Sequence, residues 1–170
     1  MKHLNCLFVM STAVITLFSP ILGGCDHAPD TIKIGIARPL SGGRAAPSKD
    51  QANGVELAIN VLKQAGFKVH SEVITLKMVD VDDKANPEEG VRIALQLVDA
   101  GVVAVVGHFN FDVSIPIAPI YASKDITRLA ISSKSKFTRL GHGSALRLVA
   151  NDELQACSVG SFASWLSSER

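Results

Sequence analysis

Aromatic side chains are scarce in this chain: seven Phe, one Tyr and one Trp make up 5% of its 170 residues. Proteins that hold single-stranded nucleic acid stack bases on aromatic rings, and those platforms are missing here. Net charge is also lacking, with 17 Lys and Arg against 16 Asp and Glu. No Lys/Arg run with interleaved aromatics occurs, so there is no electrostatic case for nucleic acid or an acidic surface. Cysteine is limited to Cys6, Cys25 and Cys157. With Cys6 in an N-terminal leader and Cys25 at the leader's cleavage point, where its thiol would be modified, Cys157 has no partner for an intrachain disulfide. It sits in a helical run and reads as a small packing residue rather than a nucleophile. His27, His70, His108 and His142 have no metal-ligand spacing with another His, Cys or carboxylate, so no metal site is expected.

Enzyme templates are missing too. Neither the G-x-G-x-x-G fingerprint nor the P-loop G-x-x-x-x-G-K-[ST] is present. Gly141-His142-Gly143-Ser144 is not the elbow G-x-S-x-G of hydrolases. Asp82-Asp83 could suggest a phosphoacceptor cluster, but such paired acids follow a first strand and these follow a second. They read as solvated acids or a helix-capping turn.

What is present starts at the N-terminus. Lys2 and His3 precede an apolar stretch, Leu4 to Phe18, and Leu22-Gly23-Gly24-Cys25 follows. Small side chains fit beside a scissile bond, which suits cleavage by a signal peptidase. A cysteine in this place resembles the lipobox of bacterial lipoproteins. The resemblance implies that residues 1–24 are removed, that Cys25 is acylated and becomes the new N-terminus, and that the remainder works outside the cytoplasm, tied to a membrane. Each buried acyl methylene contributes about 0.8 kcal/mol, so several chains hold a protein that one chain would not. Asp26 resembles an inner-membrane retention signal. Removal of the leader takes one lysine and no acid, leaving 16 charges of each sign. An uncleaved anchor and a plain secreted protein are the alternatives. Leu4–Leu22 is about long enough to span a bilayer, but Ser11, Thr12, Thr16, Ser19 and Pro20 weaken it as a permanent helix.

After a polar tether at residues 26–30, strand and helix patterns alternate, which predicts an α/β domain with a parallel sheet. Ile32–Ala37 reads as a buried first strand, followed by a loop from Arg38 to Lys49. The first helix carries Val55, Ala58, Ile59, Leu62 and Ala65 on one face, and Gly66 stops it. Val73–Val81 is the second strand. The second helix has an explicit start: Asn86 caps it, Pro87 fits its first turn, and Glu88 and Glu89 complement its dipole. Its predicted face is Val91, Ala94, Leu95 and Val98, with Gly101 closing it. Val102–Val106 is a continuous apolar run, as expected of a central strand covered on both faces. One short helix is predicted from about Val113 to Ser123, its limits blurred by Pro116 and Pro119. Strands at Thr127–Ile131 and Ala145–Val149 and a last helix over Asp152–Ser167 complete the reading. Ligands bind open parallel sheets at the carboxyl ends of the strands. That singles out the loops Arg38–Lys49, Gly107–Val113 and Ile131–Thr138, all rich in small or hydroxyl residues.

An ordered series of motifs over residues 31–168 resembles the first half of periplasmic solute-binding proteins of the leucine/isoleucine/valine type, the receptors of ABC importers. Ile34-Gly35-Ile36-Ala37-Arg38-Pro39-Leu40-Ser41-Gly42 is similar to the family's first strand and loop, and Gly54–Asn60 to its first helix. Asp82-Asp83 with Asn86-Pro87, Val105-Val106-Gly107-His108 with Ala118-Pro119-Ile120-Tyr121, and Leu146-Arg147 with Asn151–Gln155 follow in the family's order. The resemblance implies a three-layer αβα lobe of the periplasmic-binding-protein type I, spanning residues 31–150. Residues 151–170 would be a helix crossing to a second lobe that is missing. It implies a non-enzymatic binding role without a cofactor, and a ligand that is a branched-chain amino acid or a related small amide or carboxylate. Importer membrane subunits would be the partners.

The family's first lobe grips the ligand's α-carboxylate and α-ammonium from the loops after its third and fourth strands. Carried over, these positions are Asn110, Phe111 and Asp112, and Ser133, Lys134 and Ser135. Two departures follow. Phe111 stands where a serine is usual, and phenylalanine donates no hydrogen bond. The loss is about 1.5–3 kcal/mol, roughly ten- to a hundredfold in affinity. Ala85 and Asn110 also stand where some relatives carry a cysteine pair. The family continues past the point matching Arg170, so an inert truncated product is an alternative. A small exported enzyme using Ser135 has only the polar loops in its favour.

Overall fold

Five apolar segments pair as parallel strands in the computed structural model, which describes residues 30–169. The leader and Cys25 lie outside those residues. The strands are β1 (Thr31–Arg38), β4 (Thr75–Asp82), β5 (Val102–Gly107), β6 (Thr127–Ala130) and β7 (Ala145–Arg147), in the spatial order β4-β1-β5-β6-β7. The order reverses between β1 and β5, where Ala37 faces Gly107. That reversal is the switch point at which open sheets of this kind form a crevice. The α/β class and the flanked parallel sheet expected from sequence are therefore present.

A 3-10 turn (Gly42–Arg44) leads into α1 (Ala45–Gln64), so the predicted loop is shorter than expected and the helix starts before Lys49. Ser48 explains the early start: its buried hydroxyl donates to the Pro39 carbonyl at 2.7 Å, fastening the helix to the end of β1. A hairpin, β2 (Lys68–Val69) and β3 (Glu72–Val73), takes up the start of the predicted second strand. Its central residues His70 and Ser71 both have positive φ, the geometry of a tight hairpin turn.

Asn86 caps α2 (Pro87–Asp99) as expected, its Oδ1 accepting from the amides of Glu88 and Glu89 at 2.9 and 3.0 Å. The buried face is Gly90, Ile93, Ala94 and Leu97, rotated from the predicted one; Val91 and Leu95 are exposed. Gly90 sets this rotation, because any Cβ there would collide with Val113. The predicted Val113–Ser123 helix is two pieces, α3 (Phe111–Ser114) and α4 (Ala118–Ala122), broken around Pro116, while Pro119 sits in the first turn of α4. The short α5 (Lys136–Arg139) was not expected, and β7 ends before Val149.

Helices α2 and α4 cover one face of the sheet with Ile93, Leu97, Val105, Ile117 and Tyr121 in its core. On the other face α1 packs Ile59 against Ile74 and Leu76. Ala58, Leu62 and Ala65, predicted to be inward, are exposed. β5 is not covered on both faces. Its pairing with β1 slips by one residue at Lys33/Ile34, so Val103 is an extra residue in β5. Val102 and Val105 consequently share the core face, while Val103 and Val106 line an open apolar groove beside α1. The last helix, α6 (Asp152–Ser168), is capped by Asn151 and has no buried residue. Cys157 lies on it and is exposed, so it is not the packing residue it was read as.

Candidate functional site

The carboxyl ends of β5 and β6 carry the six residues expected to meet a ligand. Asn110 caps α3 and Phe111 and Asp112 are its first residues, while Ser133, Lys134 and Ser135 form the turn into α5; the two segments are called turns below. The two turns meet: the Lys134 ammonium lies 4.9 Å from the centre of the Phe111 ring. A cation over a ring face at that distance is attracted by the ring's quadrupole. Lys134 Nζ also reaches Asp152 Oδ2 at 3.1 Å. The Ser133 hydroxyl and then Lys134 hold the Asp152 carboxyl below its ordinary range. The Asp152 amide donates to the Ser133 carbonyl at 2.8 Å, and Arg147 donates to the Lys134 carbonyl at 3.2 Å. The second turn is thus braced by β7 and the start of α6. Asp112 is exposed, while Asn110, Phe111, Ser133 and Ser135 are half-buried. Asn110 Oδ1 and Ser132 Oγ are buried without a hydrogen-bond partner, which is uncommon for polar atoms.

Beneath the first turn lies a polar network that sequence reasoning missed. Asp83, read as a solvated acid or a turn cap, is fully buried. Its Oδ1 does cap the turn, accepting from the Ala85 amide at 3.0 Å. Its Oδ2 lies 2.8 Å from Nδ1 of the equally buried His108, whose Nε2 is 3.1 Å from the Tyr121 hydroxyl. A neutral imidazole satisfies all three groups: Nδ1–H donates to Asp83, and Nε2 accepts from Tyr121. Burial pushes the His108 pKa down, against the opposing pull of Asp83. Burial pushes the Tyr121 phenol up. Arg128 adds the balancing charge. Its guanidinium sits 5.8 Å from the Tyr121 ring centre and 4.8 Å from that of Phe137, and burial lowers its pKa to about 10, so it stays cationic at neutral pH.

The network ties directly into the Asn110–Asp112 segment. Arg128 Nη1 donates to the Ser114 carbonyl at 2.6 Å, and the Ser114 hydroxyl donates to the His108 carbonyl at 2.9 Å. The Ser114 amide in turn donates to the Asn110 carbonyl at 2.8 Å. Gly107 permits the close approach at the head of this turn, since a Cβ there would strike the Ala37 carbonyl. Asp82 supports the neighbouring loop by accepting from the Leu40 amide at 3.0 Å, and Arg38 pairs with Asp80 at 2.7 Å. Asp83 and His108 lie 25 residues apart, a separation no local motif marks. Among the described residues, no group of three His, Cys, Asp or Glu side chains could hold a metal ion.

A parallel sheet with a crevice at its switch point and two short polar turns at its carboxyl edge defines one lobe of a ligand-binding α/β protein. The family model described as periplasmic binding protein matches residues 31–166, and the chain belongs to that family. A Leu/Ile/Val-binding protein homologue from Brucella abortus is 34% identical over 142 residues, covering 83% of this chain and 37% of the relative. An amino acid binding protein from Pseudomonas aeruginosa is 30% identical over 146 residues, covering 85% and 38%. Among solved structures, an ABC transporter substrate-binding protein from Desulfitobacterium hafniense in complex with Leu superposes with a TM-score of 0.68 at 32% identity, covering 78% of this chain and 38% of that one. This chain spans about two fifths of the length of the curated relatives it matches.

Proposed function

We propose that this chain is the ligand-gripping first lobe of an extracytoplasmic receptor for an ABC importer, taking branched-chain amino acids or related small amides and carboxylates. The observation that carries this reading is the family match, whose range, residues 31–166, includes both polar turns. Residues 31–150 form the lobe, and residues 151–170 lead towards a second one. Asn110, Phe111, Asp112, Ser133, Lys134 and Ser135 bind the ligand's charged head; no cofactor or covalent chemistry is involved. Phe111 cannot donate a hydrogen bond to a carboxylate, so Lys134, held over its ring, supplies the positive charge in its place. Asn110 Oδ1 and Asp112 are acceptors for an ammonium group. Acylation at Cys25 ties the lobe to the outer face of the cytoplasmic membrane, beside the importer subunits that receive the ligand.

Titration calorimetry of the folded protein tests this reading. Saturable heat is expected with leucine, isoleucine or valine, and at least a tenfold loss of affinity in Lys134→Ala, the price of one bond to a charged group. Absence of heat with every amino acid, amide and carboxylate tried, from protein with a cooperative melting transition, would overturn it. The uncovered apolar surface beside α1 favours a second reading, a lobe that folds but is inert alone, and that silent result would support it.

A further inference from the structure

The two polar turns touch at the surface, and beneath them one buried side chain touches both of the helices that they open. Arg128 lies in β6, paired with Val105 of β5 and Ala145 of β7, and is 1% exposed. Its Nη1 donates to the Ser114 carbonyl on α3 at 2.6 Å, and its guanidinium carbon lies 4.8 Å from the centre of the Phe137 ring on α5. Each contact passes on to a turn. The Ser114 amide donates to the Asn110 carbonyl at 2.8 Å, and the Phe137 amide donates to the Lys134 carbonyl at 3.0 Å. Phe111, next to Asn110, meets the Lys134 ammonium at 4.9 Å. These contacts close a ring through Phe111, Asn110, Ser114, Arg128, Phe137 and Lys134.

We infer that Arg128 is a positioning residue: it holds the two turns at a fixed spacing, and that spacing makes the site selective for a ligand head carrying both a carboxylate and an ammonium group. The ligand part of this inference rests on the proposed receptor function. Arginine suits the position because its planar fork donates from its edge while its face covers a ring, which a lysine ammonium does not do. Both contacts strengthen where water is excluded. Arg128 is also the one member of the ring outside the two turns and their helices. Strands on both sides fix its backbone, so the ring is referenced to the sheet. The consequence for binding is geometric. A simple carboxylate needs Lys134 alone. An amino acid needs Lys134 and an acceptor of the first turn, Asn110 or Asp112, at one separation. Loosening the ring therefore weakens the two-point ligand more than the one-point ligand, since a two-point contact depends on preorganisation.

Amide hydrogen exchange of the full chain, read by NMR, tests the ring without any ligand. Arg128→Met keeps much of the side chain's bulk and removes its donor and charge. The Ser114 and Phe137 amides are then expected to exchange at least about tenfold faster relative to Ile36 in the core, the equivalent of one hydrogen bond to a charged group. Phe137→Leu is expected to speed the Ser114 amide, on the other helix, about threefold through Arg128. Should Arg128→Met not fold, that second variant decides alone. Acceleration at one reporter only, acceleration no greater than at Ile36, or a Ser114 amide indifferent to Phe137→Leu would each overturn the inference. Calorimetry then compares leucine with 4-methylpentanoate, the same molecule without its ammonium. The ratio of the two affinities should fall at least about tenfold in Arg128→Met, whereas a merely structural loss lowers both alike and would contradict the selectivity role. A parent chain that binds neither compound counts against the receptor reading, and the exchange rates still decide the ring.

Discussion

Val105 and Val103 are close neighbours on β5 and meet opposite surroundings. Val105 is wholly buried beneath α2 and α4, whereas Val103 is 50% exposed above the groove beside α1. The first face of the sheet has a continuous core, a buried polar network and the two candidate turns on its edge. The second has one helix, anchored at the β4 end, and bare apolar strands beyond it. The apolar run Val102–Val106 announces a strand, and its pairing with β1 decides which of those side chains enter the core. The covered face is the one whose buried polar network braces the Asn110–Asp112 segment.

The sharpest break of this comparison is His108→Ala. It leaves the Asp83 carboxylate buried without its partner, a loss of about 3–5 kcal/mol. Thermal denaturation is expected to show a fall in Tm of roughly 10 °C or more, with ligand affinity falling alongside because the Asn110–Asp112 turn loses its base. A Tm within a few degrees of the parent protein would mean that the network contributes little. The parent protein should also lose stability as pH falls. Burial holds the folded-state His108 pKa below its ordinary 6.5. The unfolded chain therefore binds the proton more readily, and stability present above pH 6.5 declines below it, by up to about 1.4 kcal/mol per pH unit. His108→Gln should flatten that dependence.

A smaller effect separates the faces directly. Val105→Ala removes packed methyl groups from the core and should cost about 2 kcal/mol, the transfer loss plus a cavity. Val103→Ala, measured at concentrations where the chain is monomeric, should cost under about 0.5 kcal/mol. Equal losses in chemical denaturation would show that the two faces are covered alike.

Local signals were read well where the physics is local. The α2 cap was legible because Asn86-Pro87-Glu88-Glu89 places a side-chain acceptor, a proline and two acids where a helix start needs them. That the loops after β1, β5 and β6 gather on one edge followed from strand order, since a parallel sheet places such loops together; the choice of Asn110–Asp112 and Ser133–Ser135 among them came from the family resemblance. The His70-Ser71 hairpin was not legible, because neither residue is the Gly or Asn that normally marks positive φ. The rotation of α2 depends on the contact between Gly90 and Val113, and the exposure of Val103 on a slip in pairing with β1; neither is written in one segment. Asp83, His108, Tyr121 and Arg128 come from four elements, so their network exists only once the sheet has formed.

The most direct test of the account is amide chemical-shift mapping of the isotopically labelled protein during titration with leucine. Saturable shifts are expected at Asn110–Asp112 and Ser133–Ser135, with residues of the α1 groove unmoved. Shifts concentrated at Val103, Leu129 and α1, or none at the two turns on saturation, would contradict it.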